Sequence, residues 1–572
     1  MSFDSIFKNI CREIDNVDSV LVKIKNAQNE LDRFTIAYDT SKNFISNLGF
    51  HNCGKSRTKS ETFRKEGNQF FKKCLYWEAL EYYNKSIAFA PVNSEELSTA
   101  YGNRASCLSR LEFFKEAVLD LNKALSLSLS TNYKNKLLVR KEQYSLNENV
   151  NNDIKNFPFD SGEIPPLDRE KSSFFDSTSN VVELSEDIYS NRKLIANDDI
   201  NVGEVLIVEK PYSSIVIPKH FYTHCSNCFR RSLNLIPCSN CCTGMFCREE
   251  CLDIANHVIE CSYLGILSEL NADRKEMLAL KILIDASRQG TELEKLCTTT
   301  INHLNNEENN CQFYKSLDFK NILNLVTNSE KRNAADLFYR SIVSVILISI
   351  LENNTNFFNY ISENNNDKIK IFCGGLILLF MQSLPCNAHE ISEYYCSNLL
   401  EIGAGAYATL SLINHSCDPN VVRHSCRNTV ILRAIKPIKK GEELFDNYGY
   451  HYATHELQER QKALLKQYYF TCQCKACIYD WPLFNILRDL LVKFTSSLNV
   501  EKYEQLTKIF EKDFQEALKG NHSKALILRS MSYLQCIDEL VQQPSINYNK
   551  CQELIKHCLN FYSNHFQNLN ET

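Results

Sequence analysis

Apolar positions along this chain change their spacing at a few places, and those changes divide it into segments. Residues 1–59 are of mixed polarity without a strong motif, and a helical hairpin is expected over 20–50. Residues 60–145 form a further unit, marked by a repeat. From 180 the pattern shortens to runs at 181–184, 205–208 and 214–217, with turn residues at 201–203, and these predict strands. A helical stretch is expected over 262–352, strands near 371–380 and 428–435, and amphipathic helices without turn-rich interruption over 483–572. The longest apolar runs, 342–351 and 376–381, are too short to span a bilayer and predict buried helix or strand.

The segment 60–145 repeats itself. Gly67, Asn68, Phe70, Trp77, Glu78, Ala79 and Tyr83, closed by Pro91, are followed 38 residues later by Ala105, Leu108, Lys115, Glu116, Ala117, Leu121 and Ala124. That offset is the period of a tetratricopeptide (TPR) repeat plus a small loop insertion. Small residues let paired helices approach and aromatic ones fill the gaps. A third helix over 133–146 completes or caps the stack. Fewer than three repeats are marginal alone, so the module is expected to pack on a neighbour. Residues 147–178, rich in Asn, Asp, Ser and Pro, read as a linker, and the asparagine runs at 302–310 and 353–367 as surface loops.

A chain of 572 residues exceeds one compact core. Its formal charge of −5 argues against a nucleic-acid partner. No basic-then-apolar leader opens the sequence at Met1-Ser2-Phe3-Asp4, so the 25 cysteines are expected in a reducing compartment, as thiols and metal ligands rather than disulfides.

Eight ligand-type residues stand in one block: Cys225-x2-Cys228, Cys238-x2-Cys241, Cys247-x3-Cys251 and His257-x3-Cys261. Zinc takes four such ligands in a tetrahedron, and a Cys-x2-Cys knuckle supplies two of them. The alternation predicts a cross-brace, with Cys225, Cys228, Cys247 and Cys251 on one ion and Cys238, Cys241, His257 and Cys261 on the other. Cys242 is the spare. Four protein ligands leave no open position, so both ions are structural. A second set joins Cys417, within Asn414-His415-Ser416-Cys417-Asp418-Pro419-Asn420, to Cys472, Cys474 and Cys477, for a third zinc.

The first block resembles a MYND finger. Such fingers bind short proline-rich peptides, which implies co-repressor partners; a purely structural role is the alternative. The 414–420 motif, with Gly441-Glu442-Glu443-Leu444-Phe445-Asp446-Asn447-Tyr448-Gly449, resembles the SET domain of lysine methyltransferases. With an N-terminal SET piece at 196–211, an inserted MYND finger and post-SET cysteines, the whole is similar to the SET and MYND domain-containing (SMYD) family. The resemblance implies S-adenosylmethionine as cofactor and a protein lysine, on a histone or another protein, as methyl acceptor. It implies that Asn414 and His415 contact the cofactor, that Tyr448 brings its hydroxyl to the transfer centre, and that Tyr468 and Phe470 close the channel. Asn387 matches a cofactor-side Asn. Where relatives carry a glycine-rich turn, this chain has Ser190-Asn191-Arg192-Lys193-Leu194. Asn191, which tolerates positive φ, with Arg192 and Lys193, takes the glycines' place beside the cofactor.

In the repeats, Arg64, Asn68, Asn103, Lys136 and Arg140 resemble the two-carboxylate clamp by which TPR co-chaperones grip the acidic C-termini of heat-shock chaperones. The expected class is α+β and multidomain: an N-terminal helical region (1–59), TPR repeats (60–146), linker (147–178), N-terminal SET part (179–224), MYND finger (225–261), helical insert (262–370), SET core (371–450), post-SET zinc segment (451–480) and C-terminal helices (481–572). The expected activity is protein-lysine methylation, in cytoplasm and nucleus, without nucleic-acid or membrane partners. A non-catalytic TPR and MYND adaptor is the competing reading.

Overall fold

A computed structural model describes residues 2–566, apart from residues 53, 151–158, 161, 187–191, 255–256, 289–292, 294, 298–299, 301–312, 360–365 and 397. The fold is α+β. Three helices open it: α1 (Phe3–Glu13), α2 (Val17–Asn26) and α3 (Glu30–Ser46). Ser2, Asn16 and Asn29 cap them, each side chain accepting a backbone N–H of the first turn. The expected hairpin at 20–50 is α2–α3. Antiparallel repeat pairs follow, α4 (Arg57–Lys72) with α5 (Tyr76–Phe89) and α6 (Glu95–Arg110) with α7 (Phe114–Leu127), closed by α8 (Thr131–Val150). Gly67 is needed here: a Cβ there would lie 2.8 Å from the Tyr83 ring.

Two of the expected segment boundaries move. Of the segment 147–178 expected as a linker, residues 147–150 end α8, and the stretch 151–158 lies outside the described residues. Beyond it Phe175 is fully buried, Arg169 pairs with Glu204 at 2.8 Å, and a two-residue strand β1 (Phe159–Asp160) joins the main sheet. The strand expected at 371–380 is instead the middle of a helix, and the next strand after it begins at residue 388.

Strands β2 (Val182–Glu186), β3 (Arg192–Ala196), β4 (Val205–Glu209) and β5 (Ser213–Val216) follow. The finger adds the small hairpin β6 (Ile236–Pro237) and β7 (Met245–Phe246), then α9 (Glu249–Ile254). The helical stretch expected at 262–352 is interrupted. It holds α10 (Val258–Glu269), α11 (Arg274–Arg288), a short α12 (Phe319–Leu323) and α13 (Ala334–Asn354), with irregular chain at 324–333. The asparagine run at 302–310 lies outside the described residues. Of that at 353–367, the ends cap helices and residues 360–365 lie outside them.

The next helix, α14 (Asn366–Asn387), and α13 exceed the short apolar runs read from the sequence. Both are long and apolar enough to cross a bilayer. Yet 72% and 78% of those windows are buried, against each other, α11 and α3. They are the central layer of the core. Gly374 and Gly375 let α3 lie directly on α14, since a Cβ on Gly374 would meet the Phe34 ring at 2.1 Å. The N-terminal region is thus part of the central body.

The remaining strands of the two larger sheets and their neighbours are β8 (Ala388–Tyr395), β9 (Asn398–Ala406), β10 (Asn414–His415), β11 (Val421–Cys426), β12 (Thr429–Ala434) and β13 (Phe445–Asp446). After them come α15 (Leu457–Tyr468), α16 (Lys475–Ile478), α17 (Phe484–Leu487), α18 (Val500–Leu518), α19 (Lys524–Asp538), α20 (Ile546–Phe561) and β14 (His565–Phe566). The tail is helical, but turns at 488–499, 519–523 and 539–545 break it and it ends in a strand, against the uninterrupted pattern expected. The sheets run β1-β14-β8-β9-β5, β11-β12-β4, and the pairs β10-β13, β2-β3 and β6-β7.

Candidate functional site

The finger holds two four-ligand groups in the cross-braced pairing: Cys225, Cys228, Cys247, Cys251 and Cys238, Cys241, His257, Cys261. The donor set and spacing fit zinc. Sulfurs about 2.3 Å from a tetrahedral ion lie about 3.8 Å apart; here Cys228–Cys247 is 3.6 Å and Cys238–Cys261 is 3.7 Å. Backbone amides support the thiolates, with Gly244 N–H donating to Cys241 Sγ at 3.3 Å. Residue 244 must be glycine, because a Cβ there would lie 2.5 Å from His257 Nε2. On its far side His257 Nδ1 meets Glu260, which Lys281 of α11 pairs in turn.

The finger is wedged against the repeats. Leu233, Leu235, Cys242 and Met245 belong to the repeat module's own apolar core, so the spare cysteine, Cys242, packs there. Beneath them Arg104 of α6 makes a bidentate pair with Asp120 of α7, at 2.6 and 2.8 Å, with both side chains fully buried. Arg104 Nη1 also donates to Asn84 Oδ1 (2.8 Å) and to the carbonyl of Leu235 (3.0 Å), and Asn234 of the finger donates to Asp120 (2.9 Å). The neighbour that the incomplete repeats need is therefore the finger.

The third group, Cys417, Cys472, Cys474 and Cys477, joins two distant stretches, with Cys417 Sγ 3.9 Å from Cys472 and 3.5 Å from Cys477. Cys417 follows β10, which pairs in parallel with β13. Asn420 ties the two, its Nδ2 donating to the Glu443 carbonyl and its Oδ1 accepting from Phe445 N–H. His415 Nδ1 accepts the Tyr448 N–H at 3.0 Å. The ring's proton then sits on Nε2, which faces Cys417 Sγ at 3.4 Å. Burial pushes the imidazole down to about 4, so it is neutral and acts as an oriented link between the zinc thiolate and the Tyr448 backbone.

Around this link the aromatic residues gather. Tyr448 lies 4.8 Å from Tyr468 and 5.1 Å from His415 between ring centroids, and His415 lies 6.0 Å from Phe470. Tyr448 Oη donates to the Ile413 carbonyl at 2.6 Å. Burial raises its phenol well above the ordinary range and pushes that of Tyr468 to about 12, so both stay protonated. Tyr469 ends α15 in the left-handed region (φ 63°), which sends its own ring away from the box formed by its neighbours, toward Arg332 at 3.1 Å.

Of the other predicted site residues, Asn414 gives its amide to Glu443 (2.7 Å). Asn387, at the end of α14, gives both amide hydrogens to main-chain carbonyls, of Val326 and Ser383. Arg192 reaches the Asn324 carbonyl, and β3, which carries Lys193, bonds to residues 442–444. Asn191 lies outside the described residues. The sequence reading missed the support beneath Tyr448: Asp446 pairs with Arg423 (2.6 Å), which meets His389 Nδ1 (3.3 Å), which meets Ser411. These residues come from four separate elements, so no local spacing announces them.

Comparison with known proteins agrees with this geometry. The SET domain family model matches residues 191–449. The chain is 24% identical to protein-lysine N-methyltransferase SMYD4 of Danio rerio, over 74% of this chain and 66% of that protein. Identity to human SMYD4 is 22%, over 74% and 67%. Identity to human N-lysine methyltransferase SMYD2 is 27%, over 50% and 58%. The chain thus spans about two thirds of the length of the SMYD4 relatives it matches. It carries a SET domain, with a cross-braced zinc finger set into it, and resembles the SMYD proteins over most of its length.

Proposed function

We propose that this chain transfers a methyl group from S-adenosylmethionine to a lysine amine of a protein. The observation that carries the reading is the aromatic box of Tyr448, Tyr468, Phe470 and His415, held in place by a zinc ligand. A cationic sulfonium fits such walls. The cofactor supplies an electrophilic methyl. The chain's task is to align the incoming nitrogen in line with it and keep water out. The lysine must arrive neutral, its proton passing to solvent, and the Tyr448 hydroxyl, fixed by the Ile413 carbonyl, turns its oxygen toward the polarised C–H groups. In this reading Asn414 and His415 offer their backbone to the cofactor, and Arg192 and Lys193 of β3, a strand bonded to residues 442–444, stand in for the relatives' glycine turn. Acceptors in this class include histone lysines, met in nucleus or cytoplasm.

Calorimetric titration with the cofactor, followed by radiolabel transfer to protein acceptors, tests this. Tyr468→Ala is expected to weaken cofactor binding at least about tenfold, the loss of one aromatic wall. Tyr448→Phe is expected to keep binding and lower turnover by about 10²-fold, as loss of one positioned polar group does. A folded wild-type protein that binds no cofactor rules the reading out.

The adaptor reading has one observation in its favour. Arg64, Asn68, Asn103, Lys136 and Arg140 fall on α4, α6 and α8, the first helices of successive pairs, and so on one face of the stack. Asn103 donates to Asn68 at 2.9 Å and Arg140 to Ser106 at 3.1 Å, which pre-orders this face. We infer a clamp for a C-terminal carboxylate of a chaperone type. A peptide ending in Glu-Glu-Val-Asp should bind and lose at least about tenfold on amidation or in Lys136→Ala/Arg140→Ala, each removing a charge-assisted contact; equal binding of the amidated peptide defeats the clamp. The finger's proline-rich partner would have to dock on whatever finger surface the repeats leave open.

A further inference from the structure

A cavity of about 820 Å³ opens beside the post-SET helix α15, between it and the irregular chain that leads into α13. None of the residues assigned above to cofactor, lysine or zinc lines it. Five cations do: Lys331, Arg332, Arg340, Lys462 and Lys466. Only two carboxylates, Asp336 and Glu459, accompany them. The two arginines are fixed. Arg332 donates to the Thr327 and Gln382 carbonyls and to Asp336, and Arg340 pairs with Asp336 at 2.9 Å and donates to the Met381 carbonyl.

The lysines are different. Lys462 and Lys466 lie one turn apart on α15 and are exposed, and neither they nor Lys331 has a carboxylate within 4.0 Å among the described residues. A concave site lined by uncompensated like charges focuses a positive potential and draws anions. The rest of its wall joins an apolar part, Pro385, Ala463 and the rings of Tyr450 and Tyr469, to the amides of Asn333 and Gln467. A bare phosphate would use a corner of this space and none of the apolar part. A short peptide alternating carboxylates with an aliphatic or aromatic side chain would use both.

We propose that this cavity binds an acidic segment of a partner protein. The site also touches the segment of Tyr468 and Phe470, which in the proposed function closes the channel. Lys466 and Gln467 directly precede Tyr468, and Tyr469, whose hydroxyl accepts from the buried Arg332, separates Tyr468 from Phe470. An occupant therefore braces the segment that carries both channel aromatics.

The test is fluorescence anisotropy of a labelled, C-terminally amidated Glu-Glu-Leu-Glu-Glu peptide on the full zinc-replete chain. Amidation removes the terminal carboxylate that the clamp on the repeats would need. Saturable binding that weakens with salt, falls at least tenfold in Lys462→Glu/Lys466→Glu and in Lys331→Glu, and is unchanged in Lys136→Ala/Arg140→Ala supports the site. These lysines are exposed and have no carboxylate partner, Lys331 donating only to Asn328 Oδ1, so zinc content and circular dichroism should stay at wild-type values. Absence of binding by the wild-type chain, equal binding by the charge-reversed variants, or displacement by inorganic phosphate at the peptide's own concentration overturns it. None of these readouts depends on methyl transfer.

Discussion

Replacing Cys472 by serine is expected to abolish methyl transfer while most of the molecule stays folded. The ligand group that contains it closes a loop from residue 417 to 477, and a structural zinc contributes apparent folding energy of about 10–16 kcal/mol to the segment it ties. With one ligand lost, three consequences follow in order. Cys417 no longer holds a fixed thiolate for His415 Nε2–H. His415 loses the orientation that places its Nδ1 under the Tyr448 amide. The post-SET segment carrying Tyr468 and Phe470 comes away from Tyr448. The expected result is loss of one zinc equivalent, at least about a hundredfold loss in transfer, as for removal of a preorganised site element, and cofactor affinity too weak for calorimetry.

Trp481 gives a local readout. It is buried in the same cluster as Cys417, Cys472 and Cys477, and Trp77 in the repeats is the only other tryptophan. Its emission should shift to the red while thermal unfolding of the repeats and finger stays close to wild type. Undiminished cofactor affinity in a folded Cys472→Ser protein would break the proposed link from metal to Tyr448.

Metal ligation was legible in the sequence because its signal is local. Knuckle spacing is set by a few backbone residues, and the cross-brace follows from alternation of pairs. The third group was legible for a different reason: its two halves, 417 and 472–477, sit inside motifs that mark the same site. What failed was the reading of segments buried on every side. Residues 371–380 carry apolar side chains in each direction because α14 lies between α11, α13 and α3, so neither the helical nor the strand period survives. The glycines at 374 and 375 serve the close approach of α3, a need that no local pattern states. The role of residues 1–59 was hidden for the same reason, since Phe34 declares itself only against its partner 340 residues away. Arg423, His389 and Asp446 look like ordinary surface charges until β8, β11 and β13 converge beneath Tyr448.

The buried pair at the seam of repeats and finger makes the sharpest case of this kind. In the sequence Arg104 and Asp120 are indistinguishable from solvated helix charges. In the fold both are at 0% exposure, and burial works against the guanidinium's charge until Asp120 offsets it. Asp120→Ala strands a buried cation and removes one of the two acceptors of the Asn234 amide, leaving only the Glu116 carbonyl. The expected cost is about 3–5 kcal/mol, the range for breaking one side of a buried pair. Arg104→Ala should cost a similar amount, because Asn84 and the Leu235 carbonyl lose their donor. The double variant should then be less unstable than the sum of the singles by roughly 1–3 kcal/mol, since the second truncation removes a charge already unpaired. Urea unfolding followed by Trp77 emission measures all three. Strict additivity would mean that the two charges are solvated in the native ensemble and that the repeats are not sealed on the finger. With additivity excluded, the same variants should release the finger's zinc faster to a chelator. The Leu235 carbonyl held by Arg104 lies three residues before the ligand Cys238, so the stability of the repeats and the retention of metal are one property.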